Sequence, residues 1–228
     1  MQQFDDLLTK FPLAKGTHKT NSGALGLMEC VAFVTGERHT AYPACACAAI
    51  TPVANYANDI YLPQLRDALA RRILALAGSR SSDDVTFARF CLLVDYTVRT
   101  VLPAEMEGRD AALCARLQAA PEVTPANCAR ELALASLHFV GADCLILDDM
   151  VKRQLQSALH LLNLNYYQQA TQEIIFLFTE LDAEVDVLSL LDRMLTIGDT
   201  APLEVTDEVA ARIAILANRD LLASRRQG

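Results

Sequence analysis

Residues 83–103, DDVTFARFCLLVDYTVRTVLP, decide the fold class of this chain of 228 residues. Apolar side chains recur there at the spacing of one helix face. Asp83 or Asp84 is expected to cap the start of this helix, and Pro103 is expected to end it. An amphipathic helix buries its apolar stripe in a core, and here the stripe comprises Phe87, Phe90, Cys91, Val94, Val98 and Val101.

The same spacing recurs along the rest of the chain, in residues 147–162, 174–181 and 209–216. Alternating apolar and polar runs with many β-branched residues are absent, and the breaks between the apolar segments are too short to be linkers. We therefore predict an all-α fold, a single compact domain over residues 1–228 with about nine to eleven helices and a loop-rich N-terminal quarter.

Three local features refine this prediction. Gly36 is expected to end one helix, and Thr206 or Asp207 is expected to cap the last one. Asp95 and Arg99, four residues apart, are placed to form an ion pair on one helix face.

The composition indicates a globular protein, because 52 % of the residues are hydrophobic. No run of eighteen apolar residues occurs, and the start of the chain, MQQFDDLLTKF, lacks the pattern of a signal peptide. We expect a soluble, cytoplasmic protein without a membrane partner. Reduced thiols in the core are expected for the five cysteines that lie in helical patterns, Cys30, Cys91, Cys114, Cys128 and Cys144.

The charge is unevenly distributed. The chain carries a net charge of −8, but residues 173–208 carry −9 and the rest carries +1. A solvated face of amphipathic helices explains the acidic segment, and a docking surface for a basic partner is the alternative. Nucleic acid is not an expected partner, since the nearest approach to a basic stripe is Arg66, Arg71 and Arg72.

The segment that carries the main functional signal is residues 16–60. Its helical part has Glu29 as the one carboxylate between Gly23 and Gly36. A buried carboxylate needs a partner, because an unpaired buried charge costs several kcal/mol. Three interpretations stay open for Glu29: a salt bridge or cap to a neighbouring loop, a catalytic or ligand-binding carboxylate, and plain exposure.

Possible zinc ligands follow this helix, but their spacing is unsuitable. His39, Cys45 and Cys47, together with Glu29 of the helix, are chemically suited to zinc, and His18 lies nearby in the sequence. The Cys-x-Cys spacing is not that of a structural zinc knuckle, and no second pair follows it. Neither a metal nor a cofactor is predicted.

The string GLMECVAFVTGERHTAYPACACAAI, with Asn58 and Asp59 after it, resembles a family of bacterial and phage proteins that have no assigned activity. That family shares a Met-Glu helix, a turn of the form x-H-S-D-H-P-x-C-x-C/S-P, and a later Asn-Asp pair. The resemblance covers residues 26–59. Here Ala41 and Tyr42 replace the family's Asp-His, and Ala48 replaces its second proline. The positions that follow the family pattern are Met28, Glu29, Val31, Ala32, Gly36, Glu37, His39, Pro43, Cys45, Asn58 and Asp59.

This resemblance implies a location for the site rather than a reaction. Its polar set provides the candidate ligand-binding residues, Glu29, Glu37, His39, Asn58 and Asp59. The chain has no Walker loop, no G-x-S-x-G, no G-x-G-x-x-G and no H-E-x-x-H motif, so the common enzyme classes are disfavoured.

Three functional hypotheses follow. The first is a helical binding protein with a polar pocket or surface near residues 26–59 for a small ligand or a protein partner, which would suit a phage-encoded accessory or anti-defence role. The second is a hydrolase or transferase with Glu29 or Glu37 as general base, His39 as acid or metal ligand, and Asn58 and Asp59 orienting the substrate. In the third, the motif is structural and the function lies in the acidic C-terminal third.

Overall fold

The computed structural model describes residues 2–20, 23–61, 66–139 and 146–218. Every regular element in these ranges is a helix, which confirms the predicted all-α class. No helix in this part of the chain has both the length and the apolar character needed to cross a membrane.

Among the described residues, the longest non-helical stretches are 9–20 and 36–50 in the first quarter and 196–206 near the end of the chain. In chain order they are α1 Gln2–Leu8, α2 Leu27–Thr35, α3 Thr51–Ile60, α4 Arg66–Ala70, α5 Ile73–Ala77, α6 Asp83–Tyr96, a π-helical segment Thr97–Val101, α7 Leu102–Met106, α8 Ala111–Gln118, α9 Cys128–His138, α10 Ile146–Asn163, α11 Tyr167–Leu181, α12 Val187–Leu195 and α13 Asp207–Ala217.

Contacts within the chain define two compact units. The first comprises residues 1–81 and 198–228, and the second comprises residues 82–197. This division does not test the prediction of one domain over residues 1–228, which stays a prediction.

The first unit is built around α2. This helix packs against α3, α5 and α13, and α13 also packs against α1. Leu27, Met28, Val31 and Val34 are fully buried, as expected for a helix that is apolar on nearly all sides. A surrounded helix of this kind can place a polar side chain such as Glu29 only where another segment supplies its partners.

In the second unit α10 packs against α9 and α11, while α6 contacts α9, α11 and α12. The apolar stripes predicted for α10 and α11 include the buried side chains Leu155 and Ile174, and the stripe predicted for α13, in the first unit, includes the buried Ile213. Asp95 and Arg99 form the predicted ion pair, with 3.2 Å between Oδ1 and Nη1.

The ends of the helix that decides the fold differ from the prediction. Ser82, rather than Asp83 or Asp84, is the cap, because its hydroxyl accepts a hydrogen bond from Val85 N. Pro103 does not end the helical run. The backbone widens into the π-helical segment and continues as α7, so that Pro103, which has no N–H, lies at the start of α7, where fewer donors are required.

Other local predictions are confirmed. Gly36 ends α2 with φ of 79°, and the hydroxyl of Thr206 caps α13. Cys30, Cys91 and Cys128 are buried free thiols as predicted, but the free thiol Cys114 is only half-buried, and Cys144 lies outside the described residues.

Candidate functional site

The site begins where the loop before α2 meets the first turn of that helix. Gly26 is the residue before α2, and its N–H donates to Glu29 Oε2 at 2.7 Å. Ala14 N donates to Leu25 O at 2.9 Å, so the loop runs back alongside the helix start. Glu29 therefore caps its own helix and faces the loop of residues 13–20, which we call the N-terminal loop.

Both carboxylate oxygens of Glu29 are bound by this loop. Its Oε1 accepts from the backbone N–H of His18 at 2.7 Å, and its Oε2 accepts from His18 Nδ1 at 2.9 Å. The Glu29 side chain is only 2 % exposed. Of the three interpretations of Glu29, the contacts match the cap and salt bridge to a neighbouring loop.

A second histidine reaches the same carboxylate. His39 Nε2 donates to the carbonyl oxygen of His18 at 2.6 Å and lies 3.3 Å from Glu29 Oε1. The two imidazoles are therefore held against one buried carboxylate, yet the side chains of His18 and His39 remain 16 % and 19 % exposed.

Electrostatics favour the ionised form of Glu29. Burial by itself raises the pKa of this carboxyl group, but the hydrogen bonds from the backbone of His18 and Gly26 and from the His18 ring, with the charge of His39, act in the opposite direction. They outweigh burial, so the pKa of Glu29 lies below its ordinary value of 4.5. A carboxylate that stays ionised at neutral pH provides a stable anchor for two imidazoles.

Asn58 and Asp59, in the last turn of α3, hold the other half of the N-terminal loop. Asn58 Nδ2 donates to Ala14 O at 2.8 Å, and Asp59 Oδ1 accepts from Gly16 N at 2.7 Å. With the Glu29 bond to His18, the loop is anchored at every second residue from 14 to 18. Asn58 Oδ1 is buried and accepts no hydrogen bond from the described residues.

Close packing at the start of α2 explains why residue 26 is a glycine. A Cβ atom at Gly26 would lie 2.8 Å from Gly16 O and 3.4 Å from Asn58 Nδ2. The loop backbone therefore passes directly over the helix start, which only a residue without a side chain permits.

Glu37 performs a similar task for the turn after α2. Its two oxygens accept from Ala44 N at 2.7 Å and Cys45 N at 2.8 Å. Cys45 is half-buried, with its Sγ 3.7 Å from Thr35 Oγ1, and desolvation raises the pKa of its thiol to about 11. Cys47 is buried, and its N–H donates to Ser79 Oγ at 2.9 Å.

These positions bear on the metal-ligand candidates. His39 binds Glu29 and the loop, whereas Cys45 and Cys47 belong to the turn held by Glu37 and Ser79. In the part of the chain that the structure describes, no group of three or more histidine, cysteine or acidic side chains is arranged to hold a metal ion.

The structure thus assigns backbone partners to all five candidate residues, Glu29, Glu37, His39, Asn58 and Asp59. Four of them converge on the N-terminal loop, and Glu37 lies on the following turn. The residue that sequence reasoning left out of this set is His18, which accounts for two bonds to Glu29. Its proximity in sequence to the zinc candidates was its one available signal.

The exposed part of the site is cationic. His18 is followed by Lys19, and His39 is preceded by Arg38, and both of these flanking side chains are exposed. We call these four residues, His18, Lys19, Arg38 and His39, the histidine surface.

Comparison with known proteins gives no family for this chain. No family model matches it, and neither a curated protein nor a solved structure does. The class that the fold and site define is therefore a helical protein with a carboxylate-anchored pair of histidines.

Proposed function

We propose that this protein is a binding protein that uses the histidine surface to hold a small ligand. The observation that carries the proposal is the pair of partly exposed imidazoles fixed on one buried carboxylate. Their described bonds engage His18 Nδ1 and His39 Nε2, so His18 Nε2 and His39 Nδ1 remain to contact a ligand.

The candidate residues of the motif then have positioning roles. The side chains of Glu29, Asn58 and Asp59 form hydrogen bonds with the backbone of the N-terminal loop. These bonds fix the conformation of the loop before a ligand binds. Such preorganisation increases affinity, because less conformational entropy is lost on binding.

A thermal-shift screen tests this proposal. The wild-type protein would be heated with a panel of small metabolites that includes nucleotides, sugar phosphates, amino acids and nucleobases. A ligand at about ten times its Kd contributes about 1.4 kcal/mol, which raises the Tm of a chain of this size by about 3–5 °C.

The variants H18Q and H39Q supply the specificity test, since glutamine keeps an N–H donor for Glu29 but removes the imidazole. H160Q, at an exposed histidine of α10 in the second unit, is the matched control. The proposal expects the shift to disappear in the double variant H18Q/H39Q and to persist in H160Q. A Tm shift of equal size in the wild type, H18Q/H39Q and H160Q would overturn the proposal.

A specific observation also favours a second function, a hydrolase or transferase. The 2.9 Å contact between Glu29 Oε2 and His18 Nδ1 is a carboxylate–imidazole pair, in which a carboxylate orients a histidine that acts as general base through its other nitrogen. This version reverses the predicted roles, because Glu29 and Glu37 already accept hydrogen bonds on both oxygens.

Turnover of chromogenic phosphate and carboxylate esters would test that alternative. A hydrolase requires activity that falls at least about a hundredfold in H18Q, the usual contribution of a general base. If the wild-type protein binds these compounds but does not turn them over, the hydrolase alternative is rejected and the binding function is retained.

The biological setting belongs to the same proposal. A cytoplasmic location and an accessory or anti-defence role encoded by a phage fit the motif resemblance over residues 26–59. A protein partner at the histidine surface in place of a small molecule would be detected by cross-linking from Lys19, with the H18Q/H39Q variant as the comparison.

A further inference from the structure

We infer that the ligand of the histidine surface carries a phosphate group. This inference rests on the proposed function and adds the chemical class of the ligand. Its basis is the contrast between local and overall charge, because the chain as a whole carries −8.

The charges exposed around the histidine surface are positive, while the nearby carboxylates are at least half-buried. Among the described residues between 13 and 47, the exposed charged side chains are Lys15, Lys19 and Arg38. The carboxylates of the same stretch, Glu29 and Glu37, accept backbone hydrogen bonds on both oxygens. The exposed charged side chains of this stretch are thus all cationic, whereas Glu29 is buried and Glu37 is half-buried.

Neighbouring elements of the first unit add one half-buried carboxylate and one ion pair. Asp59 of α3 is half-buried and accepts a hydrogen bond from Gly16 N. On α13, Arg212 lies beside Gly36 and forms an ion pair of 2.6 Å with Glu208, which makes that pair neutral together.

Imidazole, ammonium and guanidinium groups are the donors that bind phosphate oxygens best, through short charge-assisted hydrogen bonds. A protonated His18 donates from Nδ1 to Glu29 and from Nε2 to a ligand oxygen. Likewise, a protonated His39 donates from Nε2 to the loop carbonyl and from Nδ1 to the ligand. With both rings protonated, the two imidazoles and the exposed Lys19 and Arg38, which adjoin them in the chain, suit a small, doubly charged anion.

Titration calorimetry with inorganic phosphate and a nucleoside monophosphate tests the inference on the full chain, with acetate as a singly charged carboxylate and ribose as an uncharged compound. We expect both phosphate probes to bind with a Kd at least about tenfold below that of acetate, because a second negative charge adds another charge-assisted contact. H18Q and H39Q should each raise the phosphate Kd about tenfold, K19Q and R38Q about threefold, and H160Q should leave it unchanged.

The outcomes separate this inference from the proposed function. Loss of phosphate binding in H18Q and H39Q, but not in H160Q, supports both. If the phosphate probes fail to bind while an uncharged metabolite shows histidine-dependent binding, the phosphate inference is overturned and the binding function stands. If phosphate binding survives H18Q/H39Q, or if no compound shows histidine-dependent binding, the histidine surface is not the site and both proposals fail.

Discussion

Glu29 combines two tasks that ordinarily fall to different residues. As the third residue of α2 it caps the helix through the Gly26 N–H, and through His18 it holds the loop that packs on the helix start. A neutral side chain of the same shape cannot do both, because every partner within reach donates a hydrogen bond and the carboxylate offers acceptors on both oxygens. The charge of Glu29, not only its size, therefore maintains the site.

The substitution E29Q tests this requirement. Glutamine places an NH₂ group opposite N–H donors, so at least one buried donor loses its acceptor, and we expect a loss of about 2 kcal/mol in the free energy of unfolding. Urea denaturation measures the loss, and hydrogen exchange at the His18 and Gly26 amides should accelerate. E122Q, at an exposed position, should change stability by less than about 0.5 kcal/mol. Equal stability of E29Q and wild type would show that the charge is dispensable.

The same carboxylate makes stability depend on pH in a defined direction. The pKa of Glu29 in the folded protein lies below its ordinary value of 4.5, so near that pH the unfolded chain binds a proton that the folded chain does not. Its contribution is complete above pH 4.5 and is lost as the pH falls through the folded pKa.

We therefore expect the stability difference between wild type and E29Q to be largest near pH 7 and to shrink below pH 4.5. Urea denaturation at a series of pH values measures this difference, in which the protonation of other groups common to both proteins largely cancels. A gap that stays constant or grows toward pH 3 would contradict the lowered pKa of Glu29.

Cys45 gives a prediction of reactivity. Desolvation raises the pKa of its thiol to about 11 from the ordinary 9.0, which reduces the thiolate fraction at pH 8 about a hundredfold. Alkylation of the native protein by iodoacetamide at pH 8, followed by peptide mass spectrometry, should leave Cys45 almost unmodified when a free model thiol is consumed. Thr35→Val removes a contact that lowers the pKa of this thiol, so Cys45 should be labelled no faster in that variant than in the wild type. Rapid labelling of Cys45 in the native wild-type protein would contradict this expectation.

Among the helices, α5 contacts a non-helical segment, residues 201–203, at a position where the chain has a glycine, Gly78. Leu203 N donates to Leu74 O at 2.9 Å, which brings residues 201–203 against the C-terminal end of α5. A Cβ atom at Gly78 would lie 2.1 Å from Ala201 O, far inside van der Waals contact. The passage of residues 201–203 over α5 thus depends on the absence of a side chain at Gly78.

The substitution G78A should accordingly destabilise the protein by about 1–3 kcal/mol, the usual cost of overpacking. The backbone conformation of Gly78 is accessible to alanine, since its φ is −90°, so the loss measures contact alone. G108A is the comparison at a glycine with φ of 80° and no atom within 4 Å of the added Cβ, where only backbone strain operates. Thermal unfolding of both variants would show whether contact at Gly78 costs more than strain at Gly108. A G78A protein as stable as wild type would mean that residues 201–203 do not pack on α5.

What the sequence predicts well at this level is the set of long amphipathic helices, because burial of a repeating stripe is a local pattern. The stripes of α10 and α11 were visible in this way, as was the helical character of residues 83–103. The passage through Pro103 was not, since a π-helical segment is a small local rearrangement that depends on the packing around α6 rather than on residue type.

The site shows the same division between local and distant information. Gly36 and Glu29 could be singled out from their neighbours in the sequence. The partners of Glu29 and Asn58 could not, because His18 is eleven residues away and Ala14 is 44 residues from Asn58, with no periodic pattern to connect them. Loop anchors of this kind are decided by tertiary contacts, so the sequence singled out these polar residues but did not reveal that they hold a loop.

At the scale of the whole molecule, the distribution of charge affects how an anionic ligand would bind. Residues 173–208 carry −9 and so account for the net charge of −8, whereas the exposed charged side chains of the histidine surface, Lys19 and Arg38, are cationic. A phosphate ligand is attracted by the nearby cations and repelled by the net charge of the chain. Which effect wins depends on distance, because salt at about 0.1 M screens charges beyond about 10 Å.

The salt dependence of phosphate binding shows whether attraction by the local cations or repulsion by the net charge is the larger effect. If the cations of the histidine surface dominate, raising NaCl from about 0.05 to 0.5 M should raise the phosphate Kd about threefold to tenfold, because close pairs are screened only at the higher concentrations. If the net charge of −8 dominates, the same change should lower the Kd, since screening removes a repulsion. Calorimetric titrations at four salt concentrations measure the slope, and the double variant K19Q/R38Q should flatten it. A Kd that falls as salt rises would show that the local cations do not govern recognition.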